Sequence, residues 1–133
     1  MASKFANLDE YYATLDAGKV ALMKRVFDLV MAEFPDIKAK IAWNQPVLYL
    51  DGAKFGGSTK YVSAMDSATN WLLYNPFSPA ILTEFADRLS GYHTGTRTIR
   101  IPLDWEPERG LLIDLTKARL AEIEREVVAK TAQ

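Results

Sequence analysis

Cysteine is absent from this 133-residue sequence, and histidine occurs once, at position 93. Without cysteine the chain can form no disulfide, thiol nucleophile or thiolate metal centre. A single histidine also excludes any site within one chain that needs two imidazole ligands. Any chemistry must therefore use oxygen, amine or guanidinium groups or the one imidazole, and the composition indicates no particular cofactor.

The sequence also lacks an excess of charge of one sign and lacks long apolar runs. Its 16 basic and 17 acidic residues give a formal charge of -1, so no overall field attracts nucleic acid or an anionic membrane. No apolar run approaches the roughly 20 residues that span a bilayer. We expect neither nucleic acid nor a membrane as a partner. The first ten residues lack the apolar core of a secretory signal and contain Asp9 and Glu10, which predicts a cytoplasmic location.

Several enzyme motifs are missing as well. The sequence contains no phosphate-binding loop, no nucleophile elbow, no H-E-x-x-H zinc motif and no dinucleotide fingerprint. A catalytic function would need a general base, for which His93 is the candidate. The missing motifs favour a protein without enzymatic activity.

The residues that are present predict one domain spanning residues 1–133, because 49% are hydrophobic and no linker interrupts the chain. Asn7 and Glu10 are spaced as a capping box, which predicts a short first helix. Asp16 precedes an apolar stripe of helical period that continues to residue 34. Ser78 followed by proline predicts a third helix, and Pro107 suits the first turn of a last one.

Short aromatic and β-branched runs between residues 41 and 75 predict an antiparallel meander of four or five strands. Asp51-Gly52 is the strongest hairpin signal, predicted to join strands at 47–50 and 53–55. Residues 97–101 alternate as a half-buried strand would, and Pro102 ends it. The order helix, helix, four or five strands, helix, strand, helix predicts an α+β fold, with helices packed on a largely antiparallel sheet.

The segment 91–102 holds the densest local positive charge, because Arg97 and Arg100 lie in a stretch without acidic residues. Guanidinium groups present forked donors to carboxylate or phosphate, which indicates an anion pocket. An alternative is that at least one of the two arginines is solvated or ion-paired, since residues three apart lie on opposite faces of a strand.

Aromatic residues cluster in and around the predicted sheet and can form the walls of an apolar pocket. The alternative is that these aromatics only pack in the core and across strands. Together with the anion pocket, they define candidate ligand-binding residues: Trp43, Gln45, Tyr74, Tyr92, His93 and Arg100.

Carboxylates offer a different site. Asp104, Glu106 and Glu108 alternate just before and at the start of the predicted last helix, and oxygen ligands suit a hard cation such as iron or magnesium. The alternative is that their negative charge only complements the positive end of the helix dipole.

Several segments resemble the YdhG-like family of small bacterial proteins. The resemblance covers nearly the whole chain and is carried by the segments 8–11 (LDEY), 40–46 (KIAWNQP), 74–76 (YNP), 91–95 (GYHTG) and 98–102 (TIRIP). It implies a compact α+β fold, mostly without known activity. One branch of the family is described as a frataxin-like intracellular iron chaperone.

The sequence thus predicts a cytosolic, non-enzymatic module that binds a small anionic or aromatic ligand near residues 91–102. The alternative function is a frataxin-like iron chaperone that uses the carboxylates of Asp104, Glu106 and Glu108. The sequence is compatible with a monomer or a homodimer.

Overall fold

A computed structural model describes residues 4–54 and 57–131. The elements, in chain order, are α1 (Leu8–Tyr12), α2 (Ala17–Glu33), β1 (Ile37–Ala42), β2 (Gln45–Leu50), β3 (Lys60–Ser67), β4 (Trp71–Asn75), α3 (Pro79–Glu84), β5 (Ile99–Pro102) and α4 (Arg109–Thr131). Four strands precede α3 and one follows it, so the predicted order of elements is confirmed.

In the described part of the chain, the strands form one sheet of order β1-β2-β3-β4-β5, with every neighbouring pair antiparallel. The predicted α+β fold is therefore confirmed. One face of the sheet supplies the core, because alternate residues along each strand point to it. The buried side chains on that face include Leu48, Met65, Leu72, Tyr74, Ile99 and Ile101.

The long helices α2 and α4 pack against each other and against the sheet. Buried residues recur along each at steps of three and four, as an amphipathic helix requires. In α2 they are Leu22, Met23, Val26, Phe27 and Val30, and in α4 they include Leu112, Leu115 and Ile123. No helix among the described residues is both long enough and apolar enough to cross a membrane.

The predicted starts of α1, α2 and α3 are confirmed, whereas α4 begins at Arg109, so Pro107 precedes the last helix and does not lie in its first turn. The Asn7 side chain accepts a hydrogen bond from the Glu10 amide at 2.9 Å, and α1 begins at the next residue. Ser78 accepts from the Ile81 amide at 3.3 Å, with Pro79 in the first turn of α3. Asp16 occupies the N-cap position of α2, but its side chain makes no capping bond.

The predicted hairpin at Asp51-Gly52 is wrong. After β2 the chain forms a short 3₁₀ turn at Gly52–Lys54, and β3 begins only at Lys60. A Cβ atom on Gly52 would lie 2.5 Å from the backbone carbon of Ser58, so this glycine allows two backbone segments to approach closely. Residue 55, the end of the predicted strand, lies outside the described residues.

The tight hairpin turn lies instead at Trp43 and Asn44, between β1 and β2. Ala42 pairs with Gln45, which leaves two residues for the turn, and their φ angles are 52° and 60°. Two positive φ values are typical of a type I′ turn, whose twist matches that of the strands it joins. The Trp43 ring lies 4.6 Å from that of Tyr61, although Trp43 remains 64% exposed.

Candidate functional site

A cleft of about 580 Å³ opens beside β5, and we call it the β5 cleft. Its walls come from β4, from β5 and from the segments that follow α3 and precede α4. The lining residues are Asn70, Trp71, Gly91, Tyr92, His93, Arg100, Pro102, Trp105 and Glu108.

Arg100 supplies the positive charge of the cleft. It alternates with buried Ile99 and Ile101 along β5, so its side chain points away from the core. The guanidinium carbon lies 4.2 Å from the centre of the Trp71 ring, a cation–π contact. Arg100 forms no ion pair within residues 4–54 and 57–131. The stacked guanidinium therefore keeps its N–H donors for another group.

A hydrogen-bonded chain of three side chains forms another part of the lining. The Trp105 indole Nε1 donates to the Tyr92 hydroxyl at 3.0 Å, and this hydroxyl donates in turn to the Glu108 carboxylate. Burial raises the pKa of Tyr92, and the hydrogen bond to Glu108 raises it further. Tyr92 is therefore kept as a neutral donor that orients Glu108.

The backbone next to His93 folds back along β5. The Arg100 amide donates to the His93 carbonyl oxygen at 2.8 Å, and the Gly95 amide donates to the Thr98 carbonyl oxygen at 2.8 Å. The His93 side chain is exposed. A neighbouring cleft of about 390 Å³ is also lined by Trp71, His93 and Arg100, so these three residues are shared by the two clefts.

The cleft brings together three of the six predicted ligand-binding residues: Tyr92, His93 and Arg100. Tyr74 is only 2% exposed, and its hydroxyl lies in the core beside those of Ser63 and Thr116. Burial raises the pKa of Tyr74.

Trp43 and Gln45, the other two predicted binding residues, lie at the β1–β2 hairpin and line no part of the β5 cleft. Trp43 contacts a different group of rings, those of Tyr61 and Phe77. The predicted set is therefore divided among the cleft, the core and the hairpin.

The three predicted metal ligands lie in different environments. Asp104 is exposed, Glu106 pairs with Arg25, and Glu108 accepts from Tyr92. Within the described ranges, no three His, Asp or Glu side chains lie close enough to hold a metal ion together. Only Glu108 of this set lines the β5 cleft.

The predicted set of ligand-binding residues contains neither Trp71 nor Trp105, although Trp71 belongs to the aromatic cluster of the predicted sheet. Trp71 pairs with Pro102 across β4 and β5, a register that the sequence does not disclose. Trp105 follows a turn in which its amide donates to the Pro102 carbonyl oxygen at 3.0 Å. The signal for Trp105 was a large aromatic residue in a loop between two prolines, Pro102 and Pro107.

The fold and the cleft define a small α+β protein built on a five-stranded antiparallel meander. A crystal structure of a DUF1801-family protein, YdhG of Bacillus subtilis, matches this chain with a TM-score of 0.73 and 20% sequence identity. The match covers 86% of this chain and 88% of that one. The predicted resemblance to YdhG-like proteins is thereby confirmed at the level of the fold. No family model and no curated relative matches the chain.

Proposed function

We propose that this protein is a cytosolic, non-enzymatic module that binds a small aromatic anion in the β5 cleft. Arg100 carries the proposal, because its guanidinium is held on the Trp71 ring at 4.2 Å and neutralises no carboxylate of the described residues. Stacking fixes a guanidinium without using its N–H donors, which then suit a carboxylate in bidentate geometry. The absence of cysteine fits a reducing compartment.

The remaining walls favour a planar ligand. Trp71, Tyr92 and Trp105 present aromatic surface, and edge-on contact between Tyr92 and Trp105, with centroids 6.1 Å apart, holds two of these rings in place. A volume of about 580 Å³ falls in the range of small-molecule sites. A ligand with one or two rings and one carboxylate therefore fits both the size and the chemistry of the cleft.

The same geometry gives little support to catalysis. A histidine that acts as a general base is oriented by a carboxylate or carbonyl partner. Among the described residues the His93 side chain makes no such hydrogen bond. His93 therefore contributes to the wall of the cleft in this proposal.

The test is calorimetric titration with benzoate of the wild-type protein, Arg100→Gln and Arg97→Gln. Arg97 is the matched control, because it is exposed, lies in the same segment and lines neither cleft. We expect Arg100→Gln to weaken binding at least about tenfold, since a charge-assisted pair is lost. Arg97→Gln should leave the affinity nearly unchanged. Equal losses in the two variants would show that only net charge matters.

Iron binding by Asp104, Glu106 and Glu108 is the alternative function, and the exposure of all three is the observation in its favour. It requires the acids to leave their present partners, Arg25 and Tyr92. Anaerobic calorimetry with ferrous iron tests it. Binding that weakens in Glu106→Gln and survives in Arg100→Gln would favour iron over an organic anion.

A further inference from the structure

We infer that the ligand of the β5 cleft is bipolar, with a carboxylate bound by Arg100 and an ammonium or N–H donor bound by Glu108. The inference rests on the proposed function and adds a second recognition group to it. It follows from the presence of two opposite charges that line one cleft without pairing with each other.

One carboxylate oxygen of Glu108 can accept a hydrogen bond from a ligand. One carboxylate oxygen, Oε1, accepts the hydrogen bond from Tyr92, while Oε2 makes no hydrogen bond or ion pair in the described part of the chain. A carboxylate oxygen has two lone pairs for donors. Because Trp105 fixes Tyr92 and Tyr92 fixes Glu108, the free oxygen is held in one orientation.

Three arginines, two close to Glu108 in partner or sequence and one in the same cleft, make other contacts. Arg109 follows it in the chain, but pairs with Glu33 at 2.8 Å. Arg25 pairs with Glu106. Arg100, which lines the same cleft, stacks on Trp71. Among the described residues no cation pairs with Glu108, and a zwitterion complements both charges of the cleft at once.

The same arrangement selects against other anions. A second carboxylate on the ligand, opposite the first, would meet the like charge of Glu108 and be disfavoured. A plain aromatic acid would use Arg100 and the rings and leave Glu108 solvated. We therefore expect an aromatic zwitterion to bind most tightly, a simple aromatic acid less tightly and an aromatic dianion most weakly.

Calorimetric titrations with four probes test this order: benzoate, meta-(aminomethyl)benzoate, para-(aminomethyl)benzoate and terephthalate. We expect at least one aminomethyl isomer to bind about tenfold more tightly than benzoate, since one charge-assisted hydrogen bond is added. Terephthalate should bind more weakly than benzoate. Glu108→Gln should abolish the preference for the aminomethyl isomer, because it removes the carboxylate that binds the ammonium group.

Two further variants separate recognition from general effects. Glu106→Gln removes the same charge two positions away, outside the cleft, and should preserve the preference. Tyr92→Phe keeps the charge of Glu108 but removes the hydrogen bond that orients its carboxylate, so the preference should shrink. The preference is the ratio of the affinities for the aminomethyl isomer and for benzoate. A variant that weakens the binding of both probes equally therefore leaves this ratio unchanged.

The outcomes distinguish this inference from the proposed function. If benzoate binds in an Arg100-dependent way but neither aminomethyl isomer binds more tightly, the bipolar ligand is refuted and the aromatic-anion function stands. If no probe binds to the wild-type protein, both are refuted. If Glu106→Gln abolishes the preference as fully as Glu108→Gln, the assignment to Glu108 is refuted.

Discussion

Replacing Tyr11 by phenylalanine tests a side-chain hydrogen bond between α1 and the sheet. Tyr11 is 5% exposed, and its hydroxyl donates to the Asp66 carboxylate of β3 at 2.8 Å. The ring also packs edge-on against Phe5, at 5.3 Å, and phenylalanine retains that contact. The substitution therefore removes one hydrogen bond and little else.

The magnitude follows from the charge of the acceptor. Hydrogen bonds to charged groups contribute about 1.5–3 kcal/mol to stability. Asp66 is half-buried and keeps a second bond, from the Ser67 amide at 2.8 Å, so it is not left unsatisfied. We therefore expect Tyr11→Phe to lower the free energy of unfolding by about 1.5 kcal/mol, the lower end of that range.

Urea unfolding, followed by circular dichroism, measures this loss. Tyr49→Phe is the control, because the Tyr49 ring is half-buried beneath Lys40 and its hydroxyl has no hydrogen-bond partner in the described residues. It should change stability by less than about 0.5 kcal/mol. A double-mutant cycle with Asp66→Asn should give a coupling of about 1 kcal/mol. The expected role of this hydrogen bond would be refuted if the losses from Tyr11→Phe and Asp66→Asn were simply additive, or if Tyr11→Phe and Tyr49→Phe had equal effects on stability.

Three other predictions concern stability. Ser78→Ala should cost at least about 1–2 kcal/mol in a denaturant titration, because it removes the cap of α3 and the hydrogen bond that Ser78 donates to Glu122; a loss below 0.3 kcal/mol, on the order of experimental error, would contradict this. Gly52→Ala should destabilise the protein by more than about 1 kcal/mol in the same assay because its Cβ would clash with backbone, whereas Gly18→Ala, with open space around it, should be neutral or stabilising. Burial raises the pKa of Tyr11 and Tyr74 above the usual 10.0, so the folded state holds their protons more tightly. The free energy of unfolding should fall as pH rises above about 10, with a smaller fall in Tyr74→Phe; a rise would contradict the direction of these shifts.

The starts of α1 and α3 could be predicted because their determinants are local. Asn7 and Ser78 each accept a bond from an amide three residues on, and no distant contact is needed. The exposed position of Arg100 likewise follows from alternation along β5.

The turns could not be predicted, because packing overrides local preference. Gly52 matches the sequence pattern of a tight hairpin turn. In the structure, however, its lack of a Cβ allows the backbone of Ser58 to approach closely. Trp43 carries no turn signature, yet pairing of the flanking strands leaves it a positive φ, and contact with Tyr61 and Phe77 supports it.

The candidate site was predictable only where it is continuous in sequence. Tyr92, His93 and Arg100 lie in one segment and line one cleft. Tyr74 could not be assigned correctly to the core without knowing which face of β4 the helices cover. The relation of Trp105 to Tyr92 depends on a tertiary hydrogen bond that no spacing reveals.

The three tryptophans of the chain provide the most direct test of the ligand-binding proposal. In a nitrogen-15 correlation spectrum, each indole Nε1–H gives its own signal, and benzoate can be titrated in. Trp71 and Trp105 line the β5 cleft, while Trp43 is 64% exposed and lies outside it. The proposal predicts saturable shifts of the Trp71 and Trp105 signals with Trp43 unmoved. Movement of Trp43 alone, or of none of the three, would contradict it.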